Sequence, residues 1–251
     1  MDYPFKKIEH CIYRNTFLQE TIIEFEFEDI SKNNNSNLVS EHFNSFVKSS
    51  FGIELSDSNL DLSNRHIVIS SQDTATKYVF ENNKIQLRIG SKVYKSFNDS
   101  VIPNIKKIED FFDKVLPNKQ IYHSSLRKIN LLPIQNIPEG TSLKIILDKI
   151  FSKELLVEEN QNLQNDDINT LVKWEKEKNF RWKDYDIIIR YGFKNQQIDD
   201  KDCILLLDIE VRNSTASNIN DVPLKEYNDI IFDAYHWAIN ASVLQLMNKK
   251  E

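Results

Sequence analysis

Glycine is scarce in this chain, with four residues in 251: Gly52, Gly90, Gly140 and Gly192. A phosphate-cradling loop needs closely spaced glycines so that backbone amides can approach the anion. Even the nearest two, Gly52 and Gly90, lie far apart, which excludes P-loop and dinucleotide-binding functions. Cysteine is scarcer still. Cys11 and Cys203 form no C-x-x-C pair and sit in or beside apolar segments, so both read as buried thiols, with neither a disulfide nor a metal site implied. No apolar run approaches the roughly 20 residues needed to cross a bilayer. The opening Met1-Asp2-Tyr3-Pro4-Phe5-Lys6-Lys7 lacks the apolar core of a signal peptide, so the expected location is the cytoplasm. There is no basic excess either: a net charge of −6 disfavours a general nucleic-acid binder. The nearest basic cluster, Lys106-Lys107 with Lys114 and Lys119, reads as a solvated helix face. His10, His42, His66 and His123 show no metal-ligand spacing. No Gly-x-Ser-x-Gly elbow or Cys–His signature marks a nucleophile. No cofactor is implied.

What the chain does have is strand-like runs, apolar on one side and charged on the other. In Ile22 to Glu28, Ile23, Phe25 and Phe27 alternate with Glu24, Glu26 and Glu28. In Asp186 to Phe193, Asp186 and Arg190 lie opposite Ile187, Ile189, Tyr191 and Phe193. In Cys203 to Arg212, the odd positions Cys203, Leu205, Leu207, Ile209 and Val211 oppose Asp208, Glu210 and Arg212. Side chains alternate across a strand, so each run buries one face and offers a charged row on the other. That predicts an antiparallel sheet covered by helices on one face, an α+β fold.

Strands are expected over 16–28, 66–71, 76–81, 84–89, 126–134, 185–193 and 203–213, with Asn82-Asn83 as a hairpin turn that exploits the tolerance of Asn for positive φ. Helical spacing marks Leu38 to Ser50 (stripe Val39, Phe43, Phe46, Val47) and Val101 to Leu116, with Pro103 in its first turn and Pro117 ending it. It also marks Leu143 to Phe151, a short helix at Ile168 to Trp174, and a long terminal helix from Pro223 to Met247 capped by Asp221. Glu158 to Asp167 reads as an acidic exposed loop, and Ser124-Ser125 as a polar lead into a strand. The order strand, helix, strands, helix occurs twice, which suggests an internal duplication: a lobe over 1–118 and a second over 119–251, packed as one compact domain.

Several blocks carry a resemblance. Tyr13-Arg14-Asn15-Thr16-Phe17-Leu18-Gln19-Glu20-Thr21-Ile22-Ile23-Glu24-Phe25 resembles the opening Asn-Ala-Pro-Ile-x-Glu strand of a sporadically distributed family of uncharacterised prokaryotic proteins, with Phe17 in place of proline. Asn82 to Leu87 with Tyr94-Lys95-Ser96-Phe97 is similar to its central strands. Leu126-Arg127-Lys128-Ile129-Asn130 resembles its Leu-Arg-Tyr-Ile-Asn block, with Lys128 replacing tyrosine. Leu207-Asp208-Ile209-Glu210-Val211 is similar to its late Leu-Asp-Ile-Asp strand, and His236 to Asn240 falls where its final helix lies. The resemblance implies a domain of about this length with no assigned catalytic residues. Its patchy distribution implies association with mobile or antiviral defence genes.

Three constellations compete for function. The first is a divalent-metal nuclease built from Asp186, Asp208 and Glu210, the acids holding Mg²⁺. Arg212 stands where such enzymes place lysine, and arginine stays protonated and makes a poor base; cross-strand charge pairing explains the same residues. The second is His236 with Asp233, an acid–base pair on paper but also ordinary side-chain spacing on a helix. The third is the aromatic cluster Trp174, Phe180, Trp182, Tyr185 and Tyr191, interleaved with Lys173, Lys176, Lys178, Arg181 and Lys183. This is either a stacking platform or aromatic packing. The favoured reading is a non-catalytic macromolecule-binding or accessory protein, with Trp174, Arg181, Trp182, Lys183, Arg190, Glu210 and Arg212 as binding residues. Its expected partner is another protein, or a second copy in a self-associating subunit, and no membrane.

Overall fold

The computed structural model describes residues 2–13, 16–29, 36–53, 66–71, 74–134, 140–157, 173–194 and 203–247. The expected loops Ser31 to Asn37 and Lys194 to Asp202 fall largely, and Glu158 to Asp167 wholly, outside them, as do the side chains of Val39 and Cys203.

The fold is α+β, with eight antiparallel strands and six α-helices among the described residues. In chain order these are β1 (Leu18–Phe27), α1 (Ser36–Phe51), β2 (Ile67–Ser70), β3 (Thr76–Phe80), β4 (Lys84–Gly90), α2 (Ile102–Val115) and β5 (Ile121–Ile134). They continue with α3 (Leu143–Ile150), α4 (Lys153–Leu156), β6 (Lys173–Trp182), β7 (Tyr185–Lys194), β8 (Cys203–Asn213), α5 (Leu224–Ala238) and α6 (Ala241–Leu246). Sheet order is β2-β3-β4-β1-β5-β8-β7-β6. Read outward from the middle, one side runs β1-β4-β3-β2 and the other β5-β8-β7-β6. Each series is, in sequence, a strand, helical structure, a three-strand meander and a helix.

By contacts the chain forms two compact units, one of Met1–Gln19, Arg127–Val211 and Lys225–Glu251, the other of Glu20–Leu126 and Arg212–Leu224. In the second unit Ile23, Phe25 and Phe27 of β1 are buried, as are Ile85, Leu87 and Ile89 of β4, as their alternation requires. Helices cover that face: Phe112 of α2 meets Phe27 edge-on at 5.5 Å, and Phe43 of α1 meets Phe80 at 5.2 Å. On the other face Arg88 holds Glu20 through two nitrogens, at 3.0 and 2.7 Å, and Gln86 bonds Glu24. In the first unit the apolar row Leu205, Leu207, Ile209 of β8 is fully buried. Phe151, just past α3, lies 5.8 Å from Tyr191 of β7, and Tyr227 of α5 lies 5.5 Å from Tyr185.

Five expectations need correction. Residues 173 and 174 are not the end of a helix; they open β6, which pairs with β7 in register from Lys173↔Lys194 to Trp182↔Tyr185. The terminal helix is broken at Ile239 and Asn240. Ile239 bridges Phe151, the Asn240 amide bonds the carbonyl of Ile150, and the Asn240 side chain caps α6. The serines Ser124 and Ser125 lie within β5 and are buried. Asn82 and Asn83 do turn the β3–β4 hairpin, but neither has positive φ. The non-glycine residues that do, among those described, are Thr74, Asn118 and Lys183. Lys183, with φ of 54°, sits in the two-residue connection between β6 and β7. Finally, Cys11 is a free thiol and only half-buried.

Candidate functional site

The even-numbered side chains of β8 face away from the core, yet Asp208 is only 1% exposed and Glu210 is also buried. Arginines from both neighbouring strands cover them. Arg127 of β5 donates to both oxygens of Asp208, Nε to Oδ1 at 2.8 Å and Nη2 to Oδ2 at 2.5 Å. From β7, Arg190 Nη1 donates to Glu210 Oε2 at 2.9 Å and reaches Asp208 Oδ2 at 3.5 Å, while its Nε donates to Glu177 of β6 at 2.9 Å. The result is a ladder of alternating charge across four adjacent strands. Pairing of this geometry is the strong, bidentate kind. Hydrogen bonding to Asp208, opposed by burial, holds the Arg127 guanidinium above its ordinary range. Burial pulls Arg190 down, but its bond to Glu210 and the charges of Glu210, Asp208 and Glu177 outweigh that and raise it. Both arginines therefore stay cationic.

Asp186 lies further along β7 and faces Arg181, its register partner on β6, at 3.9 Å. The structure thus brings Asp208 and Glu210 together around a guanidinium and leaves Asp186 apart. Among the described residues no three of His, Cys, Asp or Glu gather where they could share a metal ion. Arg212 belongs to the second unit.

Register on β6 places Trp174, Phe180 and Trp182 on the core side and Glu175, Glu177, Asn179 and Arg181 on the ionic side. The aromatics are packed. Trp174 meets Tyr191 at 5.9 Å, Phe180 meets Trp237 at 5.5 Å and Trp182 meets Tyr185 at 5.8 Å. Lys183 lies 4.2 Å over the Trp182 ring and donates to Glu226 at 3.0 Å, and the Tyr185 hydroxyl donates to the same carboxylate at 2.5 Å. Arg181, by contrast, is 67% exposed.

The His236–Asp233 pair does not form. Asp233 accepts from the Tyr3 hydroxyl at 2.7 Å and the Ile8 amide at 2.8 Å, and His236 Nε2 shares a hydrogen bond with the Tyr13 hydroxyl at 2.9 Å. Three lysines of the basic cluster are engaged: Lys107 lies over Phe51, Lys114 faces Asp110 and Lys119 bonds Glu28.

Sequence reasoning missed Lys128. Its ammonium donates to Asn228 of α5 at 2.7 Å; burial pulls it down to about 8, against the opposing pull of Asp229. The residue as a whole is half-buried, with its ammonium enclosed. Alternation with Leu126, Asn130 and Leu132 was the available signal, since it places Lys128 on the core face.

The fold and this site define an α+β protein whose β8 acids, on the face opposite the apolar row, are buried and ion-paired. No family model matches the chain, and no curated protein matches it.

Proposed function

We propose that the chain is a non-catalytic macromolecule-binding or accessory protein that docks another protein on the ionic side of its outermost strand, β6. The ladder carries this reading. The two acids best placed for chemistry, Asp208 and Glu210, are buried and taken up by Arg127 and Arg190. The row Glu175, Glu177, Asn179 and Arg181 meanwhile stands exposed on the last strand in the sheet order. A row of mixed charge at a sheet edge favours a complementary protein row over a phosphate backbone, which calls for one sign of charge. Association with a defence or mobile-element system follows from the family resemblance alone.

The test is affinity capture from the source cell with the wild-type chain and with an Arg181→Glu/Glu175→Lys variant. A protein retained by the first and lost by the second is the expected result. Mg²⁺-dependent cleavage of DNA or RNA by the wild type, abolished in a folded Glu210→Gln variant, would replace this reading with a nuclease.

A further inference from the structure

Residues 2–13 form no regular helix or strand, apart from a single bridge at Tyr13, yet they are held like a ligand. Phe5 is only 6% exposed, its ring edge-on to Phe180 at 5.3 Å and tilted against Trp237 at 5.5 Å. Tyr3 packs edge-on against Trp182 at 4.7 Å. One buried carboxylate, Asp233, takes both the Tyr3 hydroxyl and the Ile8 amide, fixing the segment at two points. His10 stacks on Phe232 at 4.2 Å and faces Asp229 at 3.4 Å. Every receiving group lies on α5 or on the β6–β7 hairpin.

The recognition is that of a bound peptide. Tyr3 and Phe5 are two apart, and a bend at Pro4 and Phe5 brings their rings edge-on to each other at 5.7 Å, so both enter the groove together. Pro4 between them has a fixed φ and no amide to satisfy, which lowers the entropy lost on docking. Charge matches as well. Glu226, Asp229 and Asp233 recur at helical spacing along α5, and the segment brings Lys6, Lys7 and His10. None of these contacts requires segment and groove to share a chain.

We infer that the groove between α5 and the β6–β7 hairpin is a peptide-docking site, closed in cis by residues 3–8. Its partner is a segment of another protein with the same chemistry: two aromatic residues two positions apart with a bend between them, followed by a basic pair. The site uses the aromatic side of β6 and so stands independently of the ionic row. A tethered segment competes as if present at roughly millimolar concentration, so a partner gains access when the strap is weakened or outmatched.

The probe is a fluorescent peptide of residues 1–12, titrated into the full-length chain in three forms: wild type, Tyr3→Ala/Phe5→Ala, and Lys6→Glu/Lys7→Glu. The last keeps both aromatic anchors and guards against misfolding of the first variant; folding of each is checked by circular dichroism. At least tenfold tighter binding by a folded strap variant than by wild type, weakened again by adding Trp182→Ala, is expected. No peptide binding by either folded variant overturns the site. Concentration-dependent doubling of wild-type mass, lost on Tyr3→Ala/Phe5→Ala, overturns the foreign partner and makes the occupant a second copy's strap.

Discussion

Arg127 and Asp208, far apart in sequence, meet through two parallel hydrogen bonds at 2.8 and 2.5 Å, with the carboxylate almost wholly out of water. The pair is the inner rung of the ladder. Breaking a buried pair from one side leaves a charge without compensation, so Asp208→Ala is expected to cost roughly 3 kcal/mol. Replacing both partners at once, Arg127→Met with Asp208→Leu, is expected to recover much of that loss. A denaturation cycle over the two single variants and the double variant measures the coupling.

Lys128 makes stability depend on alkaline pH. Its folded value of about 8 lies below the unfolded one near 10.5, so between those limits the unfolded chain binds more protons and stability rises with pH. The rise is at most roughly 3 kcal/mol for a shift of this size. Above pH 10 the sign reverses. Burial raises the hydroxyls of Tyr3, Tyr78, Tyr185 and Tyr235, and the stability they contribute is lost as pH climbs toward their folded values. Urea melts of wild type and Lys128→Met at about pH 7.5 and about pH 9.5, which span most of that window, are expected to show the rise in wild type only.

Gly192 is a packing requirement. A Cβ built there would stand 2.3 Å from the Trp174 carbonyl oxygen and 2.9 Å from the Glu175 Cα. Both are backbone, so a clash cannot be relieved by rotating a side chain. Gly192→Ala is expected to destabilise by roughly 1–3 kcal/mol, with faster amide exchange concentrated in β6. Unchanged exchange across Lys173–Trp182 would show that the strands part without cost.

Asn240 separates α5 from α6. Its side chain accepts from the Ser242 amide and donates to the Asp148 carbonyl, while its own amide bonds Ile150. Asn240→Ala is expected to cost about 1 kcal/mol through the lost cap. Exchange should rise in Ala241–Leu246 and not in Leu224–Ala238.

The repeated order of elements was legible in the chain, and so were seven of the eight strands, because alternation of Ile, Phe and Leu against Glu, Asp and Arg fixes which side faces the core. Strand β6 escaped. Its charges fall on both faces and its aromatics are separated by lysines, so no apolar run announces it. The plan itself held the signal, since the first half follows its helix with three strands and the second was short by one. The break after α5 was hidden for a different reason. Ile239 and Asn240 are compatible with helix, and only the backbone bonds from Asn240 N–H to the Ile150 carbonyl and from Ser152 N–H to the Ala238 carbonyl, which bridge Ile239 to Phe151, pull them out of it.

For the alternating runs the same division holds. By itself the sequence determined that Asp208 and Glu210 would stand opposite the core, because strand periodicity is local geometry. It could not determine whether they would lie open as a site or closed as a structural rung. Strand order decided that: β5 and β7 flank β8 and deliver Arg127 and Arg190 to the same two carboxylates. The burial of a charge depends on which strands become neighbours, a long-range property that no pattern along one strand encodes.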